Sequence, residues 1–178
     1  MNRDLVGCIG LTGWLSLGLP TCLQAQSAEP QQLPIEARWC LPSRNQTPAP
    51  VCIDLEVADT AREQQLGLMH RPPLPMQRGM WFPFERPLPI KMWMLNTPSA
   101  LDMVFIRDRA VVGIQKRVPP CQALPCQSYY VDRDGNGLPD GVDAVIELGA
   151  GEVDRLGITP GQAVRIEPFS PTPSGPPR

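Results

Sequence analysis

This 178-residue sequence has one histidine, a small net charge and no nucleotide-binding motif. His70 is its only histidine and no G-x-S-x-G motif accompanies it, so a Ser–His–Asp triad has little to build on. The sequence also lacks a phosphate-binding loop and a G-x-G-x-x-G motif. Its net charge of -2 leaves no surplus of lysine and arginine for binding nucleic acid or an anionic membrane. These absences argue against a triad hydrolase and against a nucleic-acid partner.

Proline, in contrast, is abundant, with 23 residues. Many prolines fall in residues 29–50 and in the tail 169–178, and both segments look too polar and too proline-rich to bury much surface. We therefore predict an extended lead-in over 29–50, one β domain over 51–168 and a disordered tail over 169–178. A chain of this length is expected to form a single domain with a real core.

The first 28 residues are predicted to be a secretory signal peptide. Arg3 and Asp4 precede an uncharged run, and small residues near Ala25 and Ala28 mark the expected cleavage sites. An uncleaved membrane anchor is the alternative, although Gly, Thr, Ser and Pro interrupt the run and disfavour a stable span. The "LPTC" ending at Cys22 resembles a lipoprotein cleavage box only loosely. We expect a periplasmic or secreted mature protein without an integral membrane span.

Four cysteines remain after the predicted cleavage: Cys40, Cys52, Cys121 and Cys126. An even number of cysteines in an oxidising compartment suggests two disulfides, and four cysteines allow three pairings. Proximity in sequence favours Cys40–Cys52 and Cys121–Cys126, but the sequence alone does not choose. The spacing of "CQALPC" is not the C-x-x-C of redox enzymes, so structural disulfides are favoured over a redox pair or a zinc site.

Hydrophobic alternation predicts a mainly β domain. Thr60 and Glu63 fit a capping box that begins a short helix, which Gly67 can close. "GEVDRLGI" is a second short helix, and "RDRA" is expected to form a tight hairpin turn. The predicted strands are Val51–Ala58, Gly79–Phe84, Met92–Leu95, Asp102–Ile106, Val111–Gln115, Ala144–Leu148 and Gly161–Pro168. Seven short strands and two short helices indicate a compact small barrel or a two-layer β roll.

Several motifs occur together in an order that is familiar. "EVADTAREQQLGLMHRPPL", "RGMWFPF", "MWMLNTPSALDMVFI", "PPCQALPC" and "IELGAGEVDRLGITPGQAVRI" resemble the domain of unknown function 192 family of bacterial and archaeal proteins, over roughly Val51 to Pro168. The signal pattern with "ARWC" and "VPPCQALPC" is most similar to exported cyanobacterial members. The resemblance implies a compact, mostly β domain and supplies no activity. This chain departs from the family pattern at Leu95 and in the segment after Cys126.

Asp102 is the lone acid in an apolar stretch, and it offers two interpretations. As a structural residue, it would accept backbone N–H bonds at a turn, while Asn96 and Thr97 serve as ordinary turn formers. As a functional residue, it would be a general base near Asn96 and Arg71, and Arg71 is a plausible partner for a buried carboxylate. The structural interpretation is favoured, but these residues and Trp93 remain candidates for ligand binding.

Methionine is concentrated between Met69 and Met103, which suggests a second kind of site. Met92 and Met94 would point to one face of a strand, and thioethers are soft ligands that suit Cu(I). Met69 and His70 could complete the ligand set, and Trp81 could add a cation–π contact. Methionines that fill gaps in the core are the favoured explanation.

The acidic loop "DRDGNGLPDGVD" has the spacing of a calcium-binding loop. Gly137 occupies the sixth position, where the loop must turn sharply. Counted from the first residue, candidate oxygen ligands fall at positions one, three, five, seven, nine and twelve: Asp132, Asp134, Asn136, Leu138 (through its carbonyl), Asp140 and Asp143. The alternative is a solvated Asp/Gly turn, since these residues also favour turns. No other cofactor is predicted.

Together these features predict an exported, disulfide-stapled β domain that binds or scaffolds rather than catalyses. Its partner would be a small molecule or another envelope protein. A metal-binding module, with Ca²⁺ or Cu(I), and a hydrolase that uses Asp102 are the alternatives.

Overall fold

A computed structural model describes residues 29–42 and 50–170 of the chain. The predicted signal peptide and residues 171–178 of the predicted tail lie outside these described residues. Within them no helix is long and apolar enough to cross a membrane. The elements are β1 Ile35–Leu41, β2 Val51–Val57, α1 Ala61–Leu66, β3 Arg78–Pro89, β4 Leu101–Arg107, β5 Ala110–Val118, β6 Gly141–Gly149, α2 Glu152–Leu156 and β7 Ile166–Pro168.

The seven strands form one sheet in the order β5-β4-β6-β3-β2-β1-β7. Among the paired strands of the described residues, β2 and β3 alone run parallel, and α1 provides the crossover that a parallel pair needs. The chain before β7 hydrogen-bonds to the start of β5, where Val111 N donates to Gln162 O. The two edges of the sheet therefore approach each other, and the sheet curls like a sandwich without closing. This confirms the predicted mainly β fold, as a roll rather than a closed barrel.

Two apolar clusters cover the two faces of the sheet. Alternate residues of β4 serve both, since Val104 and Ile106 join the inner cluster while Met103 and Phe105 join the outer one. The inner cluster also contains β1 and α2, and the outer cluster contains the turn after α1 and the loops at 90–97 and 121–131. Because both faces are covered, a polar residue such as Glu147 in β6 is buried, whereas Glu85 and Arg86 towards the end of β3 are exposed.

One predicted strand is absent and one unpredicted strand is present. Met92–Leu95 forms only isolated bridges, with Tyr129 and Cys121, and Asn96 has a φ of 54°, which interrupts an extended conformation. Residues 35–41, predicted to be part of a lead-in that buries little, form β1 and place Trp39 fully inside the core. The high proline content of residues 29–50 argued against a strand in this segment, although alternate residues near the end of 35–41 are buried as in a strand.

Candidate functional site

Asp102 is fully buried, and its carboxylate accepts three backbone N–H bonds, from Arg117, Gly151 and Val153, at 2.8–2.9 Å. These bonds join β4 to β5 and to the first turn of α2. The carboxylate therefore caps backbone, as the structural interpretation predicted, and no face of it is open to a substrate. The position offers no support for a hydrolase that uses Asp102 as its base.

Arg71 pairs with Glu56 rather than with Asp102, which corrects the predicted partnership. Two guanidinium nitrogens of Arg71 donate to the two carboxylate oxygens of Glu56, at 2.5 and 2.8 Å. Glu56 also accepts from the backbone N–H of Leu33. This nearly buried pair ties the turn after α1 to β2, so Arg71 is engaged in holding the fold.

Glu147 is one of three buried acids among the described residues that the sequence did not single out, with Glu56 and Glu152. Four carboxylates are buried in the described part of the chain: Glu56, Asp102, Glu147 and Glu152. Glu152 accepts from Arg155 and from the backbone of Gln77, and these hydrogen bonds lower its pKa. In contrast, the Glu147 carboxylate, only 4% exposed, has no hydrogen-bond partner among the described residues. Among the buried acids of this part of the structure it alone has no protein partner, and its oxygens are not among the fully enclosed unpaired atoms, because Glu147 lines a cleft.

Burial alone raises the pKa of Glu147 to about 8. A carboxylate removed from water without a cation or a donor nearby is stabilised by taking up a proton. At neutral pH the side chain is therefore mainly a neutral carboxylic acid. Buried titratable groups shifted in this way are frequent at functional sites.

Glu147 lies at a small cleft on the outer face of the sheet, which we call the Glu147 cleft. The cleft contains a small space of about 30 Å³, enough to hold a water-sized group. Its walls combine thioethers, aromatic rings and a hydroxyl, contributed by Met69, Phe82, Met92, Trp93 and Thr97. Trp93 is 44% exposed, so an aromatic ring at this site is accessible from solvent.

Local sequence explains how three separate segments meet at this cleft. The predicted capping box of Thr60 and Glu63 is present and begins α1 beside the sheet. The Gln64 side chain donates to the carbonyl of Ala58, just after β2, and to the carbonyl of Pro83 in β3. These two hydrogen bonds fix the helix against the sheet. Gly67 ends α1 with a φ of 46°, and His70 N then donates to Asn96 O at 2.7 Å. The turn after α1 and the segment 92–97 are thereby held together over β6.

The predicted ligand-binding residues separate into two groups. Trp93 and Thr97 line the Glu147 cleft, whereas Arg71 pairs with Glu56 and Asp102 accepts backbone N–H bonds. Asn96 contributes its backbone, since its N–H donates to Cys121 O. In the sequence, Glu147 is the single acid of the apolar run "AVIEL". Hydrophobic alternation predicts a strand there but does not show that the acid lies next to a cleft.

The predicted Cu(I) ligands are only partly assembled. Met69 and Met92 both line the Glu147 cleft. Met94 lies in the outer core cluster and His70 is exposed, while Trp81 packs against the inner cluster on the opposite face. The set of four ligands is therefore not brought to one point, but two thioethers share the cleft.

The acidic loop is held by hydrogen bonds and ion pairs of its own. Asp132 accepts from the backbone of Asn136 and Gly137, and the Asn136 side chain accepts from Leu138 N. Asp140 pairs with Arg133, and Asp143 accepts from the backbone N–H of Asp108. Asp134 is exposed and takes part in no ion pair among the described residues. In these ranges no group of three or more His, Cys, Asp or Glu is placed to hold a metal ion, and calcium binding stays a prediction.

Both disulfides favoured by proximity in sequence are present, Cys40–Cys52 and Cys121–Cys126. Cys40 lies directly opposite Cys52 in the β1–β2 register. Structural disulfides persist in oxidising compartments and are rare in the cytosol. The two bonds therefore indicate a non-cytoplasmic protein.

Comparison with known proteins assigns the chain to a family. Solved structures that are similar include a protein from Sinorhizobium meliloti 1021, described as a proposed transcription regulator, at 30% identity and a TM-score of 0.58, covering 75% of this chain and 92% of that one. A protein of unknown function from Novosphingobium aromaticivorans DSM 12444 has 28% identity and a TM-score of 0.56, covering 74% and 83%. No curated protein matches. The family model of DUF192, described as an uncharacterized ACR, matches residues 43–166, so the chain belongs to the DUF192 family.

Proposed function

We propose that the chain is an exported, disulfide-stapled binding module whose Glu147 cleft takes up a primary ammonium group. The observation that carries this proposal is the Glu147 carboxyl group, which is buried at the cleft without a hydrogen-bond partner among the described residues. An uncompensated buried acid destabilises a fold, so its presence at a cleft is best accounted for by a ligand that compensates it.

The chemistry of the cleft favours an organic cation. An ammonium group restores the favourable environment of a carboxylate that burial has removed. The space of about 30 Å³ admits a single small head group. The Trp93 ring offers an aromatic face that attracts cations, and the Met69 and Met92 side chains suit an attached alkyl stem.

Uptake of a cation at Glu147 is linked to proton release. The ligand binds the carboxylate form, whereas the free protein holds the carboxylic acid below a pKa of about 8. The competent fraction therefore rises about tenfold for each pH unit up to that pKa. We expect the affinity for an alkylammonium ion to increase from pH 6 to pH 8 and then to level off.

Calorimetric titration of the mature chain with butylammonium, and with butanol as its neutral analogue, tests this proposal. We expect butylammonium to bind more tightly, and Glu147→Gln to weaken it at least about tenfold. Glu85→Gln, which removes an exposed acid of β3, is the matched control and should change nothing. Equal binding of the two ligands, or undiminished binding by Glu147→Gln, would contradict the proposal.

Export is supported by the two disulfides and by the signal pattern of the first 28 residues. We expect the protein recovered from a periplasmic or culture fraction to begin at Gln26 or Glu29. N-terminal sequencing measures this directly, and a chain that retains Met1 in that fraction would favour an uncleaved anchor.

Cu(I) binding is a second candidate because Met69 and Met92 line the same cleft as the Trp93 ring. Anaerobic titration with Cu(I) against a competing chelator tests it. A Met69→Leu/Met92→Leu variant should lose the metal, and Met76→Leu, at a well-exposed methionine, should keep it. Binding weaker than about 1 µM in the unmodified chain would end this alternative.

A further inference from the structure

A second and larger cavity opens on the inner face of the curled sheet, the face opposite the Glu147 cleft. Its volume is about 360 Å³, within the range of small-molecule sites. It is lined where β3 passes the end of β4 and the start of β6, and where the chain enters β7. We call it the Arg109–Arg165 cavity, after the two cations that line it.

The walls of this cavity are largely apolar. Trp81, Phe84, Ile106, Val164 and Ile166 contribute rings and branched side chains. The indole nitrogen of Trp81 is buried and has no hydrogen-bond acceptor among the described residues. Because this nitrogen is shielded from solvent, Trp81 presents apolar surface to the cavity.

The charged residues of the cavity give it a net positive character. Arg109 and Arg165 are exposed and form no ion pair among the described residues. Asp143 also lines the cavity, but its carboxylate accepts from Asp108 N and lies 3.8 Å from Arg107 Nε. The acid is thus already compensated, whereas the two arginines are available to a ligand.

We propose that the Arg109–Arg165 cavity binds an amphiphilic monocarboxylate, with its carboxylate at the two arginines and its apolar body against Trp81 and Ile106. Arginine is well suited to carboxylates because its planar fork donates two parallel hydrogen bonds. The volume of about 360 Å³ lies at the lower end of the range of small-molecule pockets, which suits a small amphiphile. A medium-chain fatty acid or an aryl carboxylate has this size and chemistry.

Titration of the mature chain with octanoate, octanol and octylammonium tests the proposal. The three probes share an apolar chain and differ in the charge of the head group. We expect saturable binding of octanoate at least about tenfold tighter than that of octanol, and, in Glu147→Gln, where the Glu147 cleft does not take up an ammonium group, still weaker binding of octylammonium. Arg109→Gln/Arg165→Gln should lower octanoate affinity about tenfold or more and leave octanol binding unchanged.

An Arg62→Gln/Lys91→Gln variant is the matched control, because it removes two exposed cations that do not line the cavity. Octanoate should bind this variant, and also Glu147→Gln, as it binds the unmodified chain. The proposal is overturned if octanol binds as tightly as octanoate, if both double variants lose octanoate equally, or if no probe binds saturably. Since all four substituted cations are exposed, loss of folding is not expected to obscure these outcomes.

Discussion

At the scale of single residues, the buried acids of the described residues fall into two kinds: those that stabilise the fold through hydrogen-bond partners, and one that has no such partner. Glu56 and Glu152 each pair with an arginine, and Asp102 accepts three backbone N–H bonds. Removing Arg71 would leave the Glu56 carboxylate unpaired in the interior and cost several kcal/mol. Glu147 lacks such a partner among the described residues, so its substitution is expected to be tolerated or even stabilising.

Glu147→Gln should remove a pH dependence of stability. The pKa of Glu147 is raised from 4.5 to about 8, so the folded state binds the proton more tightly than the unfolded state. Its contribution to stability is fully present below about pH 4.5 and is lost as pH rises towards 8, by at most about 5 kcal/mol. Denaturant unfolding at pH 5, 7 and 9 should show a fall in the unmodified protein that Glu147→Gln reduces.

The comparison at pH 9 is the most informative, because the unmodified protein then carries a buried carboxylate while the glutamine variant does not. We expect Glu147→Gln to be the more stable of the two there by a few kcal/mol. Equal losses of stability between pH 5 and pH 9 in both proteins would show that Glu147 does not titrate as its burial implies.

Single residues could be predicted from sequence only where their role is local. The capping interpretation of Asp102 was reachable because acids near turns commonly accept backbone N–H bonds. The partner of Arg71 was not, because Glu56 lies on β2 and the two meet only after α1 folds back onto the sheet. Glu147 escaped notice for the same reason, since the segments that enclose it come from distant parts of the chain.

The β4–β5 hairpin shows, at the scale of elements, a local conformation at odds with its residues. Its turn residues, Asp108 and Arg109, both have positive φ, at 52° and 58°. Two-residue hairpin turns of this kind strongly prefer Asn-Gly or Asp-Gly. Arginine at the second position is strained relative to glycine, and the cavity that Arg109 lines offers a reason for keeping it.

Arg109→Gly should therefore stabilise the domain and weaken the proposed ligand. We expect a gain of about 1 kcal/mol in the free energy of unfolding, because glycine adopts positive φ without steric cost. Octanoate affinity should fall at the same time, since one of the two cations is lost. Thermal unfolding and calorimetry on the same preparation measure both effects, and a destabilised variant would show that the arginine side chain supports the hairpin.

Elements with a strong local pattern could be predicted, and those that depend on distant partners could not. Alternation located β2, β4, β5 and β6, and the capping box located α1. The apolar run at 92–95 looked like a strand, but only single bridges to Tyr129 and Cys121 hold it. β7 is shorter than predicted, because residues 161–164 pair with the start of β5 before the chain reaches β1.

For the molecule as a whole, β1 matters more than its position in the sequence suggests. It precedes the family match, which covers residues 43–166, yet it places Trp39 at the centre of the inner cluster. It also pairs with both β2 and β7, so the sheet would lose an edge without it. The Cys40–Cys52 disulfide fastens this strand to the part of the chain that the family shares.

The two disulfides should consequently differ in what they stabilise. Cys40→Ala/Cys52→Ala frees β1 and is expected to lower the free energy of unfolding of the whole domain by about 3 kcal/mol. Cys121→Ala/Cys126→Ala opens a loop of only five residues' separation at the surface and should cost about 2 kcal/mol or less. Hydrogen exchange should then quicken only near residues 119–131 in the second variant, and across β1, β2 and β7 in the first. The same exchange pattern in both variants would mean that β1 is held by Trp39 packing alone, and that its disulfide is dispensable to the sheet.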